Sequence, residues 1–175
     1  MVGNASLQIE VVRGSILEAS VEAIVNAANS LGIMGGGVAG AIKRAAGQQV
    51  EEEARSHAPI RVGHAVVTSG GLTRFKAIVH APTMSRPAMR IPAENVALAT
   101  RAALTAADAA GITSLAIPGM GTGVGGVAVR DAAMLMAREL RAFRPRLLRS
   151  AVLVDIDQEM VEAWRLALGD VKREA

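Results

Sequence analysis

The stretch that most constrains the fold is residues 21–47, VEAIVNAANSLGIMGGGVAGAIKRAAG. An apolar strand is predicted over residues 21–26, followed by an asparagine-bearing loop, three consecutive glycines and an alanine-rich helix over residues 38–46 that ends at Gly47. Glycines let backbone N–H groups approach a ligand closely, and the helix directs the positive end of its dipole to the same place. This layout predicts an anion site, with phosphate as the expected anion.

The spacing G-x-G-x-x-G occurs twice, each time between a predicted strand and a predicted helix. In a parallel sheet both loops would lie at the carboxyl-terminal edge, where the ligands of such folds bind. Either loop alone is explained by a tight reversal of the chain, but the pair predicts a site for two linked phosphates. The glycines are Gly35, Gly37 and Gly40 in the first loop and Gly121, Gly123 and Gly126 in the second.

Two better-known nucleotide loops fit less well. A Walker-type loop needs Lys followed by Ser or Thr after its last glycine, but Ala41 and Ile42 follow Gly40, which disfavours ATP hydrolysis. In an NAD-binding Rossmann unit the first glycine follows its strand at once, and an acidic residue stands about 20 positions further on. Here residues 27–34 intervene, and the acidic residues 51–53 lie in a polar helix. An NAD-dependent oxidoreductase is therefore the less favoured alternative.

Two asparagines precede the first glycine loop. Asn29 offers a donor and an acceptor, which suits ribose hydroxyls, and the alternative is an Asx turn that stabilises the loop. Asn26 stands at the predicted strand end and is expected to be structural.

Strands and helices alternate along most of the chain, which predicts a single α/β domain over residues 1–175. We expect a three-layer α/β/α sandwich with a mixed, mostly parallel central sheet. The strands at 63–71 and 76–81 should form a hairpin, and residues 82–92, with three of the six prolines, should be irregular. The other predicted strands are 7–13, 21–26, 114–118 and 151–155, and the predicted helices are 38–46, 48–56, 93–110, 127–143 and 158–168.

Composition excludes several classes of function. The absence of cysteine excludes disulfides, cysteine zinc sites and thiol nucleophiles. His57, His64 and His80 lack the spacing of a paired ligand set, so we expect surface or packing histidines, no metal and no cofactor.

The first 12 residues lack a basic region followed by an apolar one, and no window approaches about 18 uninterrupted apolar residues. A cytoplasmic protein that does not enter membranes is therefore predicted.

The net charge of +3 comes mainly from arginine, which supplies 16 of the 19 basic residues. Five of these gather at the end of one predicted helix and in the following loop, where cations suit the helix dipole. The alternative is a nucleic-acid patch, but one Trp, two Phe and no Tyr leave few rings for base stacking. The five are Arg138, Arg141, Arg144, Arg146 and Arg149.

The motifs NAAN, GGGVAGAI and IPGMGTGVGG resemble those of the macrodomain, the ADP-ribose-binding module, and the likeness runs in order over residues 14–168. The resemblance implies that Ser15 and Ile16 lie at the adenine and that Asn29 hydrogen-bonds the distal ribose. It also implies that two loops border the diphosphate and the distal ribose. These loops comprise Gly36, Gly37, Val38 and Ala39, and Thr122, Gly123, Val124 and Gly125.

Three positions depart from the family pattern near the ligand. Ser15 stands where the family commonly has Asp, whose carboxylate accepts from the adenine amino group. Ile156 and Gly125 stand where aromatic residues often contact the adenine and the distal ribose. Because these changes remove an acceptor and contact area, we expect weaker ADP-ribose binding and reduced adenine selectivity.

Two further departures concern catalysis. Hydrolytic members often have Asp at the position of Ala39, or His at that of Met34. General acid–base help is typically worth about 10²–10⁴ in rate, so its absence predicts slow chemistry in which Asn29 places a water. The expected ligands are ADP-ribose, its 1''-phosphate, O-acetyl-ADP-ribose or ADP-ribosylated protein, and the alternative is a poly(ADP-ribose)- or RNA-binding module without catalysis.

Overall fold

The computed structural model describes residues 6–169. Two predictions include residues outside this range: the absence of a leader, which concerns the first 12 residues, and the single domain over residues 1–175. No helix within residues 6–169 is long and apolar enough to cross a membrane. In chain order the elements are β1 (Gln8–Arg13), a 3-10 helix (Ile16–Glu18), β2 (Ala23–Asn29), α1 (Gly37–Ala46), α2 (Gln48–Ser56), β3 (Val66–Ser69), β4 (Ala77–Met84), α3 (Glu94–Ala109), β5 (Ser114–Ile117), α4 (Val129–Ala142), β6 (Ser150–Asp155) and α5 (Gln158–Ala167).

The six described strands form one mixed sheet in the order β1-β6-β5-β2-β4-β3. Strand β3 runs antiparallel to β4, and the other neighbouring pairs are parallel. The mixed, mostly parallel sheet is therefore confirmed, and so is the hairpin predicted from the two short strands in the middle of the chain.

Side chains along the strands alternate between two helical layers. On β2, Ala23 and Val25 pack in the cluster that includes residues of α3, α4 and α5, whereas Ile24 packs in the cluster that includes residues of α1 and α2. The central strands are thus covered on both faces, which explains their nearly continuous apolar sequences. The predicted three-layer sandwich is confirmed.

Strand β2 is longer than predicted. It continues past Asn26 to Asn29, which is in register with Met84 of β4 after a shift that follows Ala28. The added residues are Ala and Asn, which have little preference for strands, and they are held by pairing with β4. The segment predicted as an asparagine-bearing loop therefore begins as a strand, and the predicted end at residue 26 is wrong.

Strand β4 continues through Pro82, in the region predicted to be irregular. The pairing of β3 with β4 ends at His80, so beyond this point the described strands leave one side of β4 open. A proline is tolerated where no ladder hydrogen bond is needed from its nitrogen. The prediction is therefore wrong for residues 82–84 and correct for residues 85–92, which form neither helix nor strand.

The order of the strands places the two glycine loops side by side. Strands β2, β4, β5 and β6 run parallel, so their carboxyl ends meet at one edge of the sheet. Because β5 is the direct neighbour of β2, the loop that follows each strand lies next to the other. This is the edge at which open α/β sheets bind ligands.

Candidate functional site

Two adjoining cavities form one cleft at the carboxyl-terminal edge of the sheet. The first has a volume of about 510 Å³ and is bordered by both glycine loops. The second, of about 450 Å³, is bordered by the turn after β1, by α1 and by the end of β6. Gly37, Val38 and Asp155 line both cavities, which makes them parts of a continuous cleft.

The first glycine loop presents free backbone N–H groups at the start of α1. Gly36 precedes the helix and has no side chain to cap it, and the first turn closes with the N–H of Gly40 donating to the Gly36 carbonyl at 3.1 Å. Within residues 6–169 the N–H groups of Gly37, Val38 and Ala39 donate to no protein acceptor. Gly37 has a φ of +57°, which residues with a side chain rarely adopt. The three N–H groups can donate to an anion.

The second glycine loop follows β5 and turns back on itself. The N–H of Val127 closes the turn by donating to the Gly121 carbonyl at 2.9 Å. In the described part of the chain, the N–H groups of Thr122, Gly123 and Val124 have no protein acceptor. A second set of free donors therefore borders the same cavity as the first.

No side chain fits at Gly125 without a shift of the backbone. A Cβ at this position would lie 2.7 Å from the carbonyl oxygen of Gly121 and 3.2 Å from its Cα. The Gly125 carbonyl also accepts from the N–H of Ile91 at 3.0 Å, which ties the loop to the segment before α3. The aromatic that the resemblance would allow here is thus excluded by the tightness of this particular loop.

Asn29 ends β2 and lines the first cavity. Its Oδ1 accepts from the N–H groups of Leu31 at 3.1 Å and Ile33 at 3.2 Å, and its Nδ2 donates to the Ile33 carbonyl at 2.8 Å. The Asx turn weighed as the alternative to ribose binding is therefore formed. An amide carries two donor hydrogens, and one of them remains for a ligand because the described part of the chain provides no second acceptor. Contact between Asn29 and a ribose stays a prediction.

Ser15, Ile16 and Ile156 line the second cavity, as the resemblance implies. Ser15 is the N-cap of the 3-10 helix, and its Oγ accepts from the N–H of Leu17 at 3.2 Å. The Ser15 hydroxyl therefore keeps its hydrogen to donate to a ligand. Ile156 is 72% exposed and forms an apolar rim. The three residues therefore border one cavity, and their contact with adenine stays a prediction.

Two charged residues of the cleft are not identified by the sequence motifs. Asp155 is the last residue of β6 and lines both cavities, and Arg44 of α1 lines the second. Asp155 carried a usable signal, because polar residues at the carboxyl ends of parallel strands often contact ligands. The position of Arg44 within α1 gave no such indication of a ligand contact, because tertiary packing decides which part of α1 borders the cleft.

Met34 is buried away from the cleft and anchors the chain before the glycines. Its side chain is 2% exposed and packs in the cluster beneath α1 and α2. Its N–H donates to Glu51 Oε2 at 2.7 Å, and Glu51 Oε1 accepts from Lys43 Nζ at 2.9 Å. Burial opposes ionisation of Glu51, but the hydrogen bonds from Lys43 and Met34 lower its pKa overall. Glu51 is therefore a structural anchor and not the ribose ligand of a Rossmann unit.

Asn26 and His80 form a buried pair on the sheet. The Nδ2 of Asn26 lies 3.2 Å from His80 Nδ1, and Thr68 Oγ1 lies 2.9 Å from His80 Nε2. Burial lowers the pKa of His80 to about 4. These contacts support a structural role for Asn26 and a packing role for His80, while His57 and His64 are exposed. Within residues 6–169, no group of three or more His, Asp or Glu side chains is placed to hold a metal.

The five clustered arginines lie away from the cleft. Arg138 and Arg141 are on α4, and the other three lie between α4 and the first residue of β6, at the opposite edge of the sheet. Arg138 pairs with Glu94 and Glu139, and the Arg141 guanidinium donates to the Leu168 carbonyl. This arrangement fits cations at a helix end and gives no specific support to a nucleic-acid patch.

Comparison with other sequences identifies the family. The family model described as "Macro domain" matches residues 25–136. An uncharacterized protein of Aquifex aeolicus is 55% identical over 163 residues, covering 93% of this chain and 99% of its own length. An uncharacterized protein of Aeropyrum pernix is 48% identical over 160 residues, covering 89% of this chain and 85% of its own. The chain belongs to the macrodomain family.

Solved structures agree with this assignment. The Trypanosoma brucei macrodomain in complex with ADP-ribose matches with a TM-score of 0.83 at 25% identity, covering 93% of this chain and 69% of that chain. The Oceanobacillus iheyensis macrodomain with ADP matches with a TM-score of 0.81 at 24% identity, covering 93% of this chain and 90% of that chain. The α/β/α fold deduced from the sequence is therefore that of solved macrodomains.

Proposed function

We propose that the cleft binds ADP-ribose or a derivative of it, with the diphosphate between the two glycine loops. The observation that carries this proposal is the pair of free N–H sets, at residues 37–39 and 122–124, which border one cavity. Each set can donate to the oxygens of one phosphate, and the positive end of the α1 dipole favours the negative charge. The likeness to a macrodomain solved with ADP-ribose supports this choice of ligand.

We place the adenine in the second cavity, which determines the direction in which the ligand lies along the cleft. Its lining by Ser15, Ile16 and Ile156 suits adenine, since these residues offer apolar surface and a hydroxyl donor. The distal ribose then lies at the other end of the cleft, beside Asn29 and Ala39. ADP-ribose, ADP-ribose 1''-phosphate, O-acetyl-ADP-ribose and an ADP-ribosyl group on a protein share all of these parts.

Affinity is expected to be lower than in macrodomains that carry an aromatic residue at the adenine. Ser15 Oγ is an uncharged acceptor that already accepts from one backbone N–H, so it is weaker than a carboxylate as an acceptor for the adenine amino group. Ile156 offers one apolar face without the stacking geometry of a ring. We therefore expect the cleft to discriminate only weakly between adenine and other purine bases.

Hydrolysis at the distal ribose is expected to be slow. In this step, water supplies a hydroxyl to C1'' and a proton to the departing phosphate or protein oxygen. Asn29 can place the water with its remaining N–H, and the glycine-loop donors can hold the diphosphate still. Ala39 provides no acid or base at the cleft, and the side chain of Met34 is buried elsewhere.

Calorimetric titration tests the binding proposal with ADP-ribose, ADP and AMP. We expect ADP-ribose to bind most tightly and AMP least, because AMP lacks one phosphate and the distal ribose. If AMP bound as tightly as ADP-ribose, the placement of the diphosphate and the distal ribose would be wrong.

The variant Asn29→Ala tests the ribose contact. We expect its affinity for ADP-ribose to fall to that for ADP, while its affinity for ADP stays close to that of the wild type. Because Asn29 also holds the loop, thermal unfolding of the variant serves as the control. An equal loss for both ligands would mean that Asn29 acts through the loop alone.

Phosphate release from ADP-ribose 1''-phosphate tests the enzymatic part. We expect slow release by the wild type and none by Asn29→Ala. Unchanged release in the variant would remove Asn29 from the mechanism while leaving the binding proposal intact.

A further inference from the structure

Asp155 lies at the junction of the two cavities. It is the last residue of β6 and lines both the cavity of the glycine loops and the cavity of Ser15 and Ile156. Among the described residues that line either cavity, it is the only acidic one. We propose that Asp155 binds the ribose hydroxyls of the adenosine half of the ligand and makes the cleft selective for an unmodified ribose. This inference rests on the proposed binding of ADP-ribose.

The carboxylate is held in a fixed position by two backbone donors. Its Oδ2 accepts from the N–H of Gly119 at 3.1 Å, and its Oδ1 accepts from the N–H of Asp157 at 2.9 Å. A Cβ at position 119 would lie 2.8 Å from Asp155 Oδ2, so the glycine permits this close approach. The carboxylate is therefore oriented before any ligand arrives, which reduces the entropy lost on binding.

The remaining acceptor capacity of the carboxylate defines its partner. An ionised carboxylate has about four lone-pair sites, and the two backbone N–H groups occupy two of them. It can accept further hydrogen bonds but cannot donate, so it suits hydroxyl groups and repels phosphate. Rossmann proteins use an acidic residue at the ribose in the same chemical way.

The position between the cavities selects which hydroxyls are bound. Adenine is proposed beside Ser15 and Ile156, and the diphosphate between the glycine loops. In ADP-ribose, the ribose that carries adenine connects these two groups. Its 2'- and 3'-hydroxyls are therefore the hydroxyls nearest to a carboxylate that borders both cavities. A phosphate at the 2' position would meet the same carboxylate and be rejected.

The experiment compares ADP with 2'-deoxy-ADP and with ADP that carries a 2'-phosphate. A hydrogen bond to a charged acceptor predicts that the wild type binds ADP about tenfold more tightly than 2'-deoxy-ADP. The 2'-phosphate analogue should bind more weakly still. In Asp155→Asn the preference for ADP over 2'-deoxy-ADP should shrink, and the affinity for the 2'-phosphate analogue should rise.

Asp157→Asn is the matched control. Asp157 is the N-cap of α5, its Oδ1 accepts from the N–H of Glu159 at 3.1 Å, and it does not line the cleft. We expect this control to keep the wild-type preference for ADP over 2'-deoxy-ADP.

Each result separates the possible roles of Asp155. Equal binding of ADP and 2'-deoxy-ADP by the wild type would overturn the inference, even if ADP-ribose binds. A parallel loss for all three ligands in Asp155→Asn, with a lower unfolding temperature, would show that Asp155 only holds the loop at Gly119. Absence of any ADP-ribose binding by the wild type would instead refute the proposed function.

Discussion

The buried His80 predicts a loss of stability between pH 7.5 and pH 5. Its ring has no solvent exposure and lies within hydrogen-bond distance of Asn26 and Thr68. Both contacts are satisfied by a neutral ring when the Asn26 amide donates to Nδ1 and the Nε2–H donates to Thr68. Protonation of Nδ1 would place a second donor against that amide and a charge inside the core. The negative charge of Glu53 raises the pKa of His80, but by less than burial lowers it.

The size of the effect follows from the pKa of His80 in the two states. Burial lowers the pKa from 6.5 to about 4 in the folded protein. Below pH 6.5 the unfolded chain binds a proton that the folded protein does not, so stability falls as the pH falls. The loss attributable to His80 is close to zero at pH 7.5 and reaches about 2 kcal/mol at pH 5. The loss of stability stops growing once the pH is below the pKa of His80 in the folded protein.

Urea unfolding at both pH values measures this loss, with His80→Gln as the comparison. At pH 7.5 we expect the variant to be less stable by about 1–3 kcal/mol, because Asn26 and Thr68 lose a partner. Between pH 7.5 and 5, the wild type should lose about 2 kcal/mol more than the variant, because the variant has no imidazole that gains a proton on unfolding. His64→Gln, at an exposed position, should behave as the wild type. An equal pH-dependent loss in the wild type and His80→Gln would refute the reasoning.

Two further predictions concern the first glycine loop. Glu51→Gln should destabilise the protein by about 1–3 kcal/mol and weaken ADP-ribose binding, because it removes the charge that holds Met34 N–H and Lys43. Thermal unfolding and calorimetry measure the two effects, and full stability in the variant would contradict the anchoring role. Ala39→Asp should raise phosphate release from ADP-ribose 1''-phosphate at least tenfold, because an acid–base group would then border the cleft. The rise should disappear in the double variant with Asn29→Ala, and its persistence there would count against water placement by Asn29.

The local elements could be predicted well because their signals are local. The glycine at position 47 ends α1 with a φ of +94°, and its N–H donates to the Lys43 carbonyl at 2.8 Å, as expected of a helix C-terminus. The hairpin was predicted because too few residues separate its strands for a helix. The errors at residues 27–29 and 82–84 arise where a neighbouring strand, and not residue preference, sets the length of β2 and β4.

The candidate site was predictable where a motif specifies the backbone. The glycine loops were identified from spacing alone, because a positive φ, as at Gly37, Gly121 and Gly126, selects glycine in any context. Side chains whose role depends on distant partners were not identified. Asp155 joins the cleft because β6 ends beside Gly119, and Glu51 reaches Met34 because α2 packs against the chain before the glycines.

The sequence by itself determined the family, the alternation of strands and helices and the positions of the two glycine loops. Only the tertiary structure decided that β5 lies next to β2, that Asn29 is already engaged in an Asx turn, and that Asp155 connects the two cavities. The reason is physical. Backbone conformation and capping depend on neighbours along the chain, whereas strand order and the partners of a buried polar group depend on residues far away in sequence.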